Sequence, residues 1–318
     1  MALPPSLAHL LAPSAYPHPV PAVRLIETHI SWVLLAGEYA YKIKKPVDFG
    51  FLDFSSLDKR RICCDEEIRL NRRLAPSIYL DVVPVTGTGL MGDGDVLDWA
   101  VRMRAFPAEA TLDRMAWLTP AQIDAMAERI ADFHRALPPC PAESPYGTPE
   151  AVMAPVLDNF RQIGALLPRL AVPPDFAARL TALEAWTQAC HDRLAGHFAA
   201  RRRGGYVREC HGDLHLGNIA WLATPSGDGE PLIFDGLEFS PELRHIDVTS
   251  ELAFLAMDLH ARNRPDLAWR LLDRYLTRTG DFAGLAAYPY YAVYRALVRA
   301  KVAALRADQG DPGALADC

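Results

Sequence analysis

The chain is short of lysine, of organised cysteine and of long apolar runs, and each shortage excludes something. Five lysines and 28 arginines make up its 33 basic residues, and 39 acidic residues bring the net charge over 318 positions to −6. That balance offers no basic excess to a phosphate backbone, which argues against nucleic-acid binding. The cysteines, Cys63, Cys64, Cys140, Cys190, Cys210 and Cys318, are scattered and form no CxxC. With no basic leader before a proline-broken N-terminal stretch, the expectation is a cytoplasmic protein with reduced thiols. No apolar run nears the ~20 residues that cross a bilayer, so no membrane span is expected. No GxxxxGK[ST] occurs. A GxGxxG at Gly87 to Gly92 runs into Asp93-Gly94-Asp95 and a strand rather than a helix, so it reads as a hairpin loop and not a dinucleotide site. Half the residues are hydrophobic and 23% are charged, enough apolar matter for a sizeable core.

Patterning divides the chain in two. Strands are predicted over Val20 to Glu27, Ser31 to Leu35 and Glu38 to Pro46; the last places Tyr39, Tyr41 and Ile43 on one face and Ala40, Lys42 and Lys44 on the other. A helix over Ser55 to Leu74 has Ser55 or Ser56 as its cap and Cys63, Glu67, Leu70 and Leu74 on one face. Strands follow near Leu80 to Val85 and Val96 to Met103. Beyond them the chain is mostly helical. Thr119 to Gln122 has capping-box spacing, and Asp175 to Arg203 reads as a long helix with Phe176, Trp186, Cys190 and Phe198 facing inward. Arg201 to Arg203 read as solvated charges at its C-terminus. Short strands return between Tyr206 and Phe234, with a turn at Ser226-Gly227-Asp228-Gly229, and helix resumes from Ile246 to about Leu305. The expected class is α+β: a small β-rich lobe over residues 1–103 with nucleotide-binding residues, and a larger helical lobe over 104–318.

Three constellations carry chemistry. In His211-Gly212-Asp213-Leu214-His215-Leu216-Gly217-Asn218 an asparagine follows an aspartate by five positions, the spacing of a kinase catalytic loop. Phosphoryl transfer needs a carboxylate to take the proton of the attacking hydroxyl and an oxygen ligand for magnesium nearby, and one short loop supplies both. Downstream, the apolar strand Leu232-Ile233-Phe234 delivers Asp235 beside Gly236, where a kinase places a second magnesium-binding carboxylate. Upstream, Ala40-Tyr41-Lys42 matches the strand lysine that reaches nucleotide phosphates. Glu67 is the first candidate to hold that lysine and Glu66 the second; Lys44, nearer the strand end, is the alternative lysine. His211 and His215, with Cys210, make a weak zinc candidate, because the loop glycines break any helical ligand spacing.

On these residues the chain resembles the aminoglycoside phosphotransferase family, which has a protein-kinase-like two-lobe fold. The resemblance rests on VRECHGDLHLGNI with IFDGLEFSPELRHIDVTSELAFLAMDL, on ETHISWVLLAGEYAYKIKKPVDFGFLDFSSLDKRR, and on AVRMRAFP, and spans roughly residues 15 to 308. It is similar to a bacterial subgroup of unassigned substrate that often carries a P-loop kinase domain. The resemblance implies ATP and magnesium as cofactors. It implies Asp213 as catalytic base, with His211 bracing the loop, and Asn218 and Asp235 as metal ligands. It implies Lys42 and Glu67 at the phosphates, backbone at Met103 to Ala105 against adenine, and Asp247 as the buried aspartate that supports the loop.

The chain departs from the pattern between its first two strands. Glu27-Thr28-His29-Ile30-Ser31 stands where a glycine-rich loop would lie, leaving backbone amides and the Thr28 or Ser31 hydroxyl to cover the phosphates. Only eleven residues separate Asp235 from Asp247 and no Ala-Pro-Glu occurs, too little for the peptide-docking segment of a protein kinase. The expected acceptor is therefore a small-molecule hydroxyl. Glu238, Glu242 and Asp258 are candidates to favour a cationic one. No feature names a protein partner. The competing reading is a nucleotide-binding pseudokinase or regulator without turnover.

Overall fold

Alternation along Tyr39–Lys44 sets the first half of the structure, a computed structural model that describes residues 3–317 apart from 51, 225 and 226. The expected turn at Ser226-Gly227-Asp228-Gly229 thus lies partly outside the described residues. In chain order the elements are β1 (Val23–Glu27), β2 (Ser31–Ala36), β3 (Tyr39–Lys44), α1 (Leu57–Asn71), β4 (Tyr79–Thr86), β5 (Gly89–Leu90), β6 (Val96–Arg104), α2 (Pro120–Ala136), α3 (Pro149–Leu166), α4 (Phe176–Arg203), β7 (Val207–Glu209), β8 (Ile219–Ala223), β9 (Gly229–Ile233), α5 (Pro241–Arg244), β10 (His245–Asp247), α6 (Val248–Ala261), α7 (Pro265–Thr279) and α8 (Tyr288–Asp308). They fall into two compact units. Met1–Trp117 with Gly217–Pro241 forms one, and Leu118–Leu216 with Glu242–Cys318 the other.

The first unit is built on a six-stranded antiparallel sheet in the order β1-β2-β3-β6-β4-β5. Period-two alternation sends Tyr41 and Ile43 into a core with Trp32, Leu34, Val83 and Val85. Short 3₁₀ turns near the N-terminus pack Leu7 and Leu10 into that same core. The opposite side is covered by α1, whose Cys64 and Ile68 pack with Tyr79, Val101 and Leu232. Ser56, one of the two expected caps, starts α1 by accepting the Lys59 N–H. Leu232 belongs to the β8–β9 hairpin, so burying it fixes the hairpin against α1. The GxGxxG segment is the expected hairpin: Val85 pairs with Leu90.

The second unit is helical around α6, which is buried from Val248 through Leu259, the signature of a helix at the centre of a core. Helix α2 begins with the expected capping box between Thr119 and Gln122. Two expectations for α4 fail. Trp186 is 40% exposed, and the buried positions at this point are Thr187, Cys190 and His191. Arg201 is not solvated either: it is buried and donates to Asp247 and Asp281. Helix α3 and the N-terminal 3₁₀ turns had no predicted counterpart. Among the described residues no helix is long and apolar enough to cross a membrane. The five described cysteines are free thiols.

Candidate active site

In the first unit, β3 holds Lys42 between Val33 and Val101 of its neighbouring strands, with its side chain on the α1 side. Its Nζ donates to Glu67 Oε1 at 2.9 Å and to Asp235 Oδ1 at 2.6 Å. Two residues on, Lys44 Nζ donates to Glu67 Oε2 at 2.7 Å and to Glu238. Glu67 is fully buried. Burial pushes its carboxyl up, but the two ammonium groups hold it down at about 2. Burial also works against the Lys42 ammonium, yet Asp235 and Glu67 raise its pKa well above the ordinary lysine value. Glu66, the alternative partner, lies on the outer face and accepts from Arg69 at 2.6 Å.

Asp235 sits just past β9 at φ +62°, a left-handed conformation that aspartate tolerates better than most residues. Two side chains that sequence reading missed hold it there. The Asp235 N–H donates to Tyr79 Oη at 3.1 Å, and the Gly236 N–H donates to Asn71 Oδ1 at 2.8 Å. Asn71 also donates to the Glu67 carbonyl at 2.9 Å. It stands four residues after Glu67, one helical turn on the same face, which is the signal that would have found it. The Asp235 side chain remains 49% exposed. Asn218 opens the β8–β9 hairpin, and its carbonyl accepts the Phe234 N–H at 2.9 Å, so hairpin register brings Asn218 and Asp235 to one end. Both offer oxygen donors, the donor chemistry that suits magnesium.

Three expectations in this unit change. The hydroxyl of Thr28 donates to the Ser31 carbonyl and accepts the Ser31 N–H at 2.9 Å, and Ser31 is fully buried. The Thr28 hydroxyl is thus occupied in closing its own turn, and the buried Ser31 side chain is not open to phosphates. Glu238 is buried on Lys44 and is not a carboxylate open to a cationic acceptor. At the β6 end, Met103 lies between Ala40 and Tyr79, and the Ala105 N–H already donates to the Glu38 carbonyl at 2.9 Å. An adenine edge would compete with that bond.

The second unit carries the loop from His211 to Leu216. Gly212 takes φ +90°, open to glycine at little cost. The His211 and Gly212 N–H groups donate to the two oxygens of Glu251, at 3.1 and 2.6 Å. His134 Nε2 lies 3.0 Å from the same carboxylate, and its Nδ1 is 2.8 Å from Tyr275 Oη. Burial raises the Glu251 carboxyl, but His134, His211 and the Gly212 N–H bring it down to about 2. The Leu216 N–H donates to Asp258 Oδ2 at 3.0 Å, and Arg299 holds the other oxygen at 2.7 Å, so Asp258 too is taken. Arg295 Nη1 donates to the Gly212 carbonyl at 3.0 Å. Loop backbone is thus pinned at four points, by Glu251 twice, Asp258 and Arg295.

Pinned in this way, the Asp213 side chain stays 31% exposed. Burial pushes its carboxyl up, but His215, whose Nε2 is 3.5 Å away, together with His211 and Arg295, lowers it below the ordinary aspartate value. The Asp213 N–H donates to His211 Nδ1 at 3.3 Å. Asp247 accepts the Thr249 N–H, caps α6 and binds Arg201. The His211 and Gly212 amides go to Glu251 instead, an acid whose signal was its place in a mostly apolar helix. Cys210 lies near His134 and Glu251, but both oxygens of Glu251 are already engaged by hydrogen bonds, so the trio reads as a hydrogen-bonded core rather than a metal tripod.

Residues 61–291 match the sequence family described as "Phosphotransferase enzyme family". Uncharacterized proteins of Mycobacterium bovis and Mycobacterium tuberculosis are each 34% identical over 316 residues, covering 94% of this chain and 59% of the relative. The chain therefore spans under two thirds of their length. A choline kinase from Cryptosporidium parvum superposes with a TM-score of 0.55 at 10% identity, over 93% of this chain and 85% of that one. An ethanolamine kinase from Plasmodium vivax gives 0.51 at 11% identity, over 93% and 79%. At these identities the likeness is one of fold, and it is the α+β, protein-kinase-like fold expected from the sequence.

Proposed function

The chain belongs to the phosphotransferase enzyme family, and from that premise we propose that it moves the γ-phosphate of ATP to a hydroxyl of a small molecule. The observation that carries the reading is the Lys42–Glu67–Asp235 cluster. A strand ammonium, a helix carboxylate that holds it and a half-exposed carboxylate at a strand end are the parts that grip a nucleotide's phosphates in kinases. Lys42 is the phosphate-binding group and Glu67 its anchor. Asn218 and Asp235 are the groups that would hold magnesium, which when bound neutralises charge on the phosphoryl oxygens.

Asp213 is the base. Its lowered carboxyl is ionised at neutral pH and partly exposed, able to take the proton of an acceptor hydroxyl as that oxygen bonds to phosphorus and ADP departs. His211 and Glu251 set the backbone from which Asp213 projects. The short span from Asp235 to Asp247 supports a small acceptor over a peptide.

The test is Asp213→Asn, assayed against sugars, amino alcohols, aminoglycosides and nucleosides with magnesium and ATP. Turnover on the true acceptor should fall by ~10²–10⁴ while the fold and nucleotide affinity persist. A variant with near wild-type kcat overturns the assignment. Nucleotide binding by the wild type with no turnover on any acceptor class would favour the nonenzymatic reading.

A further inference from the structure

Asp235 and Glu238 are the two ends of one alternating chain of charge: Asp235, Lys42, Glu67, Lys44, Glu238. Both ends come from one four-residue stretch, Asp235 to Glu238; both ammonium groups come from one face of β3, and the middle carboxylate from α1. Each oxygen of Glu67 is given to a different lysine, so its carboxylate cannot turn without breaking a bond. Lys42 and Asp235 are the accessible half. Lys44 is fully buried, Glu238 nearly so, and the Phe54 ring lies 4.9 Å from the Lys44 ammonium.

A pair this deep cannot touch nucleotide. Nor is stability an adequate reason for it, because apolar side chains of similar volume usually serve a core as well or better. What the pair does accomplish is geometric. It ties the far oxygen of Glu67 to the segment that carries Asp235, so that strand, helix and metal-side turn share one register.

We propose that Lys44 and Glu238 are positioning residues that hold Glu67 and the Asp235 turn in the arrangement that binds magnesium–ATP. The proposal rests on the reading of Lys42, Glu67 and Asp235 as nucleotide groups. It makes Lys44 the support for Lys42 rather than its substitute.

The experiment compares the full chain with Glu238→Gln, with the double variant Lys44→Met/Glu238→Gln, and with Lys42→Ala. Thermal midpoint and calorimetric affinity for the magnesium complex of a non-hydrolysable ATP analogue are read for each. The double variant removes both charges of the deep pair but leaves Glu67 Oε2 without its Lys44 donor, so the midpoint should fall while Lys42 keeps the Glu67 carboxylate paired and the chain folded. Its Kd for the magnesium–analogue complex should still rise by ~10–100-fold, as when a supporting partner of a metal site is lost. Glu238→Gln, nearly isosteric and still able to accept from Lys44, should show a smaller rise of the same sign, and it decides the matter if the double variant fails to fold. Wild-type affinity in the folded variants overturns the proposal and leaves a purely structural pair. If Lys42→Ala weakens binding while those variants do not, only this proposal falls. A wild type that does not bind the complex removes the nucleotide reading and this proposal with it.

Discussion

Lys42 donates to Asp235 at 2.6 Å although 193 positions separate them in the sequence. The contact exists because two local patterns converge. Alternation in β3 puts Lys42 on the α1 side of the sheet, and burial of Leu232 pins the hairpin whose last strand leads to Asp235. A lysine from a strand and an aspartate from a turn become one unit through packing that neither segment specifies alone.

That relationship fixes what Lys42→Ala should do. Glu67 keeps Lys44 as a partner, so the fold should survive. Asp235 loses its counter-ion, and the phosphates lose theirs. kcat/KM for ATP should fall by ~10²–10³, the usual cost of removing one preorganised charge-stabilising donor. Lys42→Arg should recover only part, because a planar fork cannot occupy the point between Glu67 and Asp235 that an ammonium fills. Steady-state kinetics with ATP varied, alongside a thermal melt, checks both halves. Activity near wild type in the alanine variant would make Lys42 a structural lysine.

Asp247 should behave differently. Its carboxylate caps α6 and pairs with buried Arg201, which Asp281 shares. Asp247→Ala removes a cap and breaks a buried pair, a loss of about 3 kcal/mol. Nucleotide affinity, measured below the lowered melting point, should stay at the wild-type value. Full stability with collapsed turnover would mean instead that Asp247 works on the catalytic loop.

How much of this was legible in the sequence depends on how local each signal is. The β3 alternation, the α1 cap at Ser56 and the Thr119 capping box are short-range rules, and the elements formed where those rules put them. Glu67 was reachable because the spacing along α1 placed it inward. Tyr79, Asn71 and Glu251 were not, because each acts on a backbone amide far away in sequence, and an amide leaves no mark in a string of side chains. Arg201 misled for a related reason. A triple arginine at a helix end looks solvated until Asp247 and Asp281 are brought to it from distant segments. Glu238 looked like a surface acid until Lys44 was found beneath it.

Glu251 gives acid instability a defined window. Its folded carboxyl sits at about 2 against an ordinary 4.5. A depressed carboxyl stabilises the fold above its unfolded value, and that contribution is lost as pH falls from about 4.5 toward about 2. For a fully buried group the linkage is worth about 3 kcal/mol. Glu251→Gln should therefore be less stable than wild type at neutral pH, and the gap should narrow across that window. Urea titrations at several pH values measure it. A gap constant from neutral pH down to pH 2 would show that the charge on Glu251 is not what the loop amides and His134 use.

His215 offers the most specific check on the proposed base. Its Nε2 lies 3.5 Å from Asp213 Oδ2, and its ring meets the edge of Phe254. Burial works against its protonated form, but Asp213 and, more weakly, Asp258 raise its pKa above the usual histidine value, with Arg299 opposing. The protonated imidazole in turn is the main group that lowers Asp213, with His211 and Arg295 assisting. A base that must be ionised loses activity as pH falls through its own pKa. Removing His215 takes away the main stabiliser of the Asp213 carboxylate, so that pKa rises and the acid limb of kcat/KM should move to higher pH in His215→Asn. The shift should be partial, since His211 and Arg295 remain. Affinity for magnesium–ATP should be little changed, because the groups proposed to hold the phosphates and the metal are Lys42, Glu67, Asn218 and Asp235. A pH–rate profile of kcat/KM for wild type and variant decides it. An acid limb that stays in place, or moves to lower pH, would mean that the ionisation controlling turnover is not that of Asp213.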